Sequence, residues 1–245
     1  MKQNQLWKAL GFSVFGVLLL AVPFLVTSSY YMKIISMGAI YLILAAGLNI
    51  LLGFTGQMSF TQAAFWGIGG YVSAILNTRY HVSFWLALPL SGLFTAGVGF
   101  LLGWPSLRKL KKFYLAVTTI GFVQITGIVL TNWTEVTNGA DGISGIVRPV
   151  IGTLFTKEQF MYYVIMTGVV VLVGFTALLK NSRVGRAMLA IREDDLAAEV
   201  IGVDTFKYKV LAFTLSAFYG GIAGSLFAHL IGFISPDTYT FEEAV

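Results

Sequence analysis

Eleven carboxylates are all the acid this chain of 245 residues has, and five of them crowd into one stretch, AIREDDLAAEVIGVD. These are Glu193, Asp194, Asp195, Glu199 and Asp204. Clustered carboxylates can serve acid–base or metal chemistry, but both uses need further groups at set spacings. The chain has no cysteine and two isolated histidines, His81 and His229. It lacks H-E-x-x-H and G-x-S-x-G, so a catalytic metal and an activated serine are both without their ligands. It also lacks G-x-x-x-x-G-K-[ST], and GIGG at Gly67–Gly70 is too short to cradle phosphates. His229 reads as a side chain that satisfies a neighbour near a helix end. The expectation is a protein that is not itself an enzyme and has no metal or cofactor, and the acidic cluster needs another explanation.

That explanation starts from what surrounds the cluster. Hydrophobic residues make up 57% of the chain and charged residues 11%, far from the balance of a soluble domain. A helix needs about 20 mostly apolar residues to cross about 30 Å of hydrocarbon. Seven runs qualify or nearly qualify: Ala9–Val26, Ile34–Leu52, Thr61–Leu76, Phe84–Trp104, Phe113–Trp133, Phe160–Lys180 and Val210–Phe233. The third is the weakest, because its glycines and amides suit a partly re-entrant helix as well as a full span. The predicted fold is all-α, a polytopic transmembrane bundle of about seven helices, and residues 1–245 form a single domain. The first run lacks a cleavage site after it and reads as a retained anchor.

Charge gives the orientation. With seven crossings and a cytoplasmic N-terminus, Lys2, Lys8, Arg108, Lys109, Lys111, Lys112, Lys180, Arg183, Arg186, Arg192, Lys207 and Lys209 lie inside, and only Lys33, Arg79, Arg148 and Lys157 outside. That bias follows the positive-inside rule, and it accounts for the net charge of +5 without any nucleic-acid partner. The acidic stretch then falls in a cytoplasmic loop, 181–209. Val184, Ala187, Met188 and Ile191 repeat at helical spacing, and Leu196, Ala197, Val200 and Ile201 form a second apolar stripe. Asp194 and Asp195 suit the N-terminus of this second helix and Gly202 its end. A helix of about two turns is marginal alone in water, so it must dock. Two dockings remain open. The stripe packs on its own bundle or on lipid, or it enters a groove on a partner, which the acidic rim favours over an anionic membrane.

Within the spans, Ala63, Gly67, Gly70 and Ala74 share a face at small-x-x-x-small spacing and predict close helix packing. Asn49, Gln57, Gln62, Thr118, Thr119 and Gln124 either line a path for a zwitterionic solute or bond across helices. No Asp or Glu falls within a span, which weakens an ion-coupled carrier acting alone.

Three stretches carry a family resemblance: GLNILLGFTGQMSFTQAAFWGIGGYVSAIL at Gly47–Leu76, FYLAVTTIGFVQI and NWTEVTNGADGISGIVRP within Phe113–Pro149, and SRVGRAMLAIREDDLAAEVIGVDTFKYKVLAFTLSAFYGGIAGSLFAHLIGFISPDTYTF at Ser182–Phe241. Together they resemble the permease subunits of branched-chain amino acid ABC importers, of the LivM type. The resemblance implies a bacterial inner-membrane permease paired with a paralogous permease as a heterodimer. It further implies two cytoplasmic ATPases and a soluble binding protein outside. The loop at 195–202 is similar to the importer coupling pattern E-A-A-x-x-x-G, with Ala197, Ala198 and Gly202 matching. Leu196 stands where the pattern has Glu, and Asp195 or Glu199 takes its place. The coupling segment implied is Asp195, Leu196, Ala197, Ala198, Glu199, Val200, Ile201 and Gly202. Similar permeases carry urea or short amides, so those substrates stay open. Such permeases continue past ISPDTYTF, so this chain, ending at Val245, reads as truncated, frameshifted or incomplete.

Overall fold

The computed structural model describes Pro23 and residues 28–109, 112–149 and 156–239. Apart from Pro23, the expected first span, Ala9–Val26, lies outside the described residues, as do Lys2, Lys8 and the last six residues. The long helices are α1 (Ser29–Leu48), α2 (Gln62–Thr78), α3 (Phe84–Lys109), α4 (Lys112–Asn132), α6 (Lys157–Asn181) and α9 (Thr205–Ile231). Short helices α5 (Thr134–Thr137), α7 (Arg183–Glu193) and α8 (Asp195–Val200) lie between them. α1 runs on into a π-helical stretch, Asn49–Phe54. Strands β1 (Ile143–Ser144) and β2 (Phe233–Ile234) pair antiparallel, Ile143 opposite Ile234.

Among the described residues, five segments are long and apolar enough to cross a membrane: Ser29–Phe54, Phe84–Arg108, Tyr114–Asn132, Lys157–Asn181 and Thr205–Ile231. The weak third run is the helix α2, whose 17 residues reach about 26 Å, short of a full hydrocarbon core. Its amides are tolerable because they are turned inward and bonded. Gln62 donates to the Leu44 carbonyl at 3.1 Å and accepts from Ser216 Oγ at 3.1 Å, which ties α1, α2 and α9 together.

The helix ends follow from local chemistry. Thr156 and Gln159 form a reciprocal capping box at the start of α6. Ser182 caps α7 and Asp204 caps α9, each accepting from a backbone N–H of the first turn. Gly232 takes φ +82° and stops α9, a backbone conformation that glycine adopts at no steric cost.

α9 is the axis of the bundle. It packs against α3, α2 and α1, and 78% of its most apolar stretch is buried, against 28% in α4 and α6. Burial on every side requires small residues where helices cross, because no hydrophobic drive draws helices together in lipid. A Cβ at Gly69 of α2 would run into the Gly221 backbone, and one at Gly224 would run into the Trp66 carbonyl oxygen and lie 2.6 Å from the Gly70 nitrogen. Gly69 and Gly70 against Gly221 and Gly224 therefore form a close seam between α2 and α9. The predicted small-residue face lies around it: Ala63 and Ala74 are fully buried, a Cβ at Gly67 would lie 3.2 Å from Tyr239, and Gly70 faces both the Tyr239 ring and Gly224. Trp66 fills the space beside the seam, with its ring edge-on to Phe227 at 4.9 Å and Tyr239 at 5.0 Å.

Candidate functional site

The contacts sort the connecting segments onto two ends of the bundle. One end gathers the α1–α2 junction, the end of α3 and the loop 181–209. Arg192 Nη1 donates to the Gly53 carbonyl at 2.6 Å, Gln57 Nε2 donates to the Lys209 carbonyl at 3.3 Å, and Trp104 meets Phe206 edge-on at 5.2 Å. The opposite end gathers 77–83, 132–149 and 231–239. Arg108, Lys180, Arg183, Arg186, Arg192, Lys207 and Lys209 belong to the first end, and Arg79, Arg148 and Lys157 to the second.

The acidic stretch builds the first end. Its five acids have separate duties. Asp194 caps α8: its Oδ1 accepts from the backbone N–H of Leu196 at 2.9 Å and of Ala197 at 3.1 Å. Asp195 pairs with Lys209 at the base of α9, and the lysine is mostly buried. Asp204 accepts from Lys207 N at 3.0 Å and caps α9. Glu193 and Glu199 lie exposed. Gly202, at φ +87°, closes α8: Val203 N–H bonds to the Ala198 carbonyl and Gly202 N–H to the Glu199 carbonyl, each at 3.0 Å. That is the Schellman arrangement, which needs a left-handed residue at this position.

The orientation of α8 bears on both dockings. Ala198 is its buried residue, at 2% exposure, whereas Leu196, Val200 and Ile201 are 75%, 86% and 74% exposed, and Ala197 is exposed as well. Among the described residues nothing of the bundle covers this stripe. The reason is steric: the helix is anchored at its N-terminus by the Asp195–Lys209 pair and by the small Ala198 side, which turns the branched residues outward. α7 does the reverse. Gly185, Met188 and Ile191 are its buried residues, and it seats α8 on the membrane end of the bundle.

A bonded chain links this seat to the π-helical stretch of α1. Thr55 Oγ1 donates to the Leu51 carbonyl at 2.8 Å and accepts from Gln57 Nε2 at 2.7 Å, and the same nitrogen reaches Lys209. Arg192 satisfies the Gly53 carbonyl, one of those a helix end leaves without a partner. Gly56, at φ +65°, lies against the Arg192 backbone and lets the chain turn there. The roles of Arg192 and Lys209 were not readable from sequence, since a bonded cation and a solvated one look alike in a basic loop. The Gly220, Gly221 and Gly224 seam was signalled by GGIAG, at the same small-residue spacing as the α2 face.

The six polar residues considered for a path do not converge. Gln57, Gln62 and Thr119 are buried and bonded, Thr119 accepting from Phe60 N at 3.2 Å and donating to the Ala116 carbonyl at 2.7 Å. Thr118 donates to the Tyr114 carbonyl of its own helix, and Asn49 and Gln124 face outward.

The opposite end is a polar knot. The Val147 carbonyl can only accept, so His229 Nδ1 carries the proton and donates to it at 2.7 Å. His229 Nε2 then accepts from Ser73 Oγ at 3.1 Å, and Ser225 Oγ is 2.7 Å from Ser73. Asn77 Oδ1 accepts from Val147 N at 2.8 Å, and Asn77 Nδ2 donates to the Val82 carbonyl. Burial pushes the Tyr239 phenol, nearby, well above its usual range, with the Tyr71 ring adding to the effect, so it stays neutral. Among the described residues no cluster of His, Asp and Glu could hold a metal ion.

Apolar helices of spanning length around one buried helix, with charged loops at both ends, define a polytopic helical membrane protein. The family described as "Branched-chain amino acid transport system / permease component" matches residues 30–244, and the chain belongs to it. The chain is similar to the high-affinity branched-chain amino acid transport system permease protein LivM of Salmonella typhimurium and of Escherichia coli K12. It is 38% identical to each, over 93% of this chain and 59% of theirs. It is also 24% identical to LivH of Salmonella typhimurium, over 82% of this chain and 70% of that protein. The chain thus spans about three-fifths of the length of its LivM relatives. No solved structure matches it.

Proposed function

We propose that this chain supplies the membrane-spanning permease part of an ATP-binding-cassette importer for branched-chain amino acids, in the cytoplasmic membrane of a bacterium. Its N-terminus and the loop 181–209 face the cytoplasm. A paralogous permease completes the pore, two ATPase subunits drive it, and a soluble binding protein delivers the solute from outside. Asp195–Gly202 is the coupling segment. The observation that carries this reading is α8: a capped helix anchored on the bundle by Asp195 and Ala198 that holds Leu196, Val200 and Ile201 clear of its own protein. Three branched side chains kept exposed on a rigid support form a surface suited to a partner's groove. The uneven distribution of cations between the two ends supports the orientation. Asn49, Thr118 and Gln124 contribute to the path where the second permease meets this one, while Gln57, Gln62 and Thr119 hold helices together.

The test is the paired change Leu196→Asp and Val200→Asp in the assembled transporter. Burying each such side chain contributes about 1.5–3 kcal/mol, which a carboxylate forfeits while adding its own desolvation cost. ATPase co-purification and substrate uptake should both be lost, with membrane insertion unchanged. Normal levels of both would contradict the reading, and gradient-driven uptake by the chain alone would replace it with a carrier.

A further inference from the structure

At the same end as α8, a cleft of about 600 Å³ opens between the last turns of α3 and the first turns of α9. Its walls divide by chemistry. Phe100, Val210 and Leu211 make an apolar slope that continues along the spanning parts of both helices, and Trp104, Arg108, Phe206 and Lys207 gather at its mouth. The Arg108 guanidinium lies over the rings of Trp104, at 5.2 Å, and Phe206, at 5.4 Å. Such stacking occupies the face of the guanidinium and leaves its N–H edge for an acceptor.

Among the described residues no carboxylate pairs with that edge. The ion pairs among the described residues are Arg148–Glu158 and Lys209–Asp195, and neither Arg108 nor Lys207 belongs to one. Asp204 also lines the cleft, but its carboxylate is already used as the N-cap of α9 through Lys207 N. Its charge is offset there by the positive end of a helix of 27 residues. The mouth therefore keeps two cations and an N–H edge directed at an anion, beside a tryptophan of the kind that sits at headgroup depth. A ligand that satisfies both parts has an anionic head and an apolar tail.

We propose that this cleft binds one anionic phospholipid, with the phosphate between Arg108 and Lys207 and an acyl chain along Phe100 and Leu211. A soluble phosphate would meet the cations but leave the apolar slope unfilled. A zwitterionic lipid would fill the slope, but its choline would oppose both cations.

The proposal is tested on the full chain in phosphatidylcholine nanodiscs doped with phosphatidylglycerol or phosphatidylcholine brominated on the acyl chains. The signal of Trp104 is taken as the difference between the wild type and Trp104→Phe. Brominated phosphatidylglycerol should quench Trp104 at a lower mole fraction than brominated phosphatidylcholine. Arg108→Gln and Lys207→Gln should each raise the mole fraction for half-quenching about fivefold, the equivalent of about 1 kcal/mol per basic side chain at an anionic surface. Arg108→Lys, which keeps the charge, should retain most of the preference, an outcome that a merely structural role for the guanidinium would not give. Equal quenching by the two lipids, or an unchanged preference in the doubly neutralised variant, would overturn the proposal. Displacement of the brominated phosphatidylglycerol by excess inorganic phosphate would overturn it in favour of a soluble-phosphate site.

Discussion

The two ends of α9 are built on opposite terms. At its C-terminal end, residues 212–230 are buried almost throughout, and His229, Ser73 and Asn77 each bond to another segment. At its N-terminal end, Lys207 is exposed, and the helix next to it, α8, keeps its apolar side chains in the open. The first end is finished within the chain, whereas the second is held rigid by caps and one ion pair but left uncovered. Rigidity without cover is what a docking element needs, because the ordering cost is met before the partner arrives. A protein whose exposed apolar helix was merely unfinished would not also cap it at both ends.

This contrast makes ordered predictions. The largest effect is expected at the closed part of α9. Gly224→Val places side-chain atoms in the Trp66 and Gly70 backbone, where nothing flexible can yield, and should destabilise the bundle by about 3 kcal/mol or more. Thermal unfolding in detergent would register it as loss of the cooperative transition. A variant that melted like the wild type would remove the glycine seam from the account.

An intermediate effect belongs to the knot. His229→Ala leaves the Val147 carbonyl without its partner, while Ser73 keeps Ser225, at about 1–3 kcal/mol for the group stranded. The melting temperature should fall, and hydrogen exchange should quicken at Val147, whose N–H bonds to Asn77 in the same knot. Unchanged protection there would mean that the two ends do not differ as described.

The smallest effect on stability should come from the most exposed large apolar residue among those described. Val200→Asp, in the isolated chain, should stay within about 0.5 kcal/mol of the wild type, as surface changes do. A large loss would show that Val200 is covered by its own protein. Small loss of stability with large loss of ATPase binding is the combination that separates docking from folding.

Much of this was legible from residue types. Apolar runs located the spanning helices because backbone polar groups in lipid force helices, and length then fixes their extent. Asp194 and Gly202 marked the limits of α8 because cap chemistry is local. The side to which α8 turns its stripe was not legible, since it depends on Lys209, fourteen positions from Asp195. The polar residues named for a path divide for a similar reason: an amide such as Gln62 that bonds α1 to α9 has the same sequence appearance as one lining a pore. The glycine seam was partly legible: spacing picked out Gly70 on α2, while Gly69 and the facing glycines of α9 went unread.

The central claim is that α8 faces the cytoplasm and is covered by an ATPase subunit. The absence of cysteine from the chain permits a direct measurement, with Val200→Cys and Ala198→Cys as single reporters and an impermeant thiol reagent. Val200→Cys should not react in intact cells, should react in opened membranes that lack the ATPases, and should be protected when the ATPases are bound. Ala198→Cys, facing the bundle, should stay unreactive in all three states. Reaction of Val200→Cys in intact cells, or equal reaction with and without ATPase, would contradict the account.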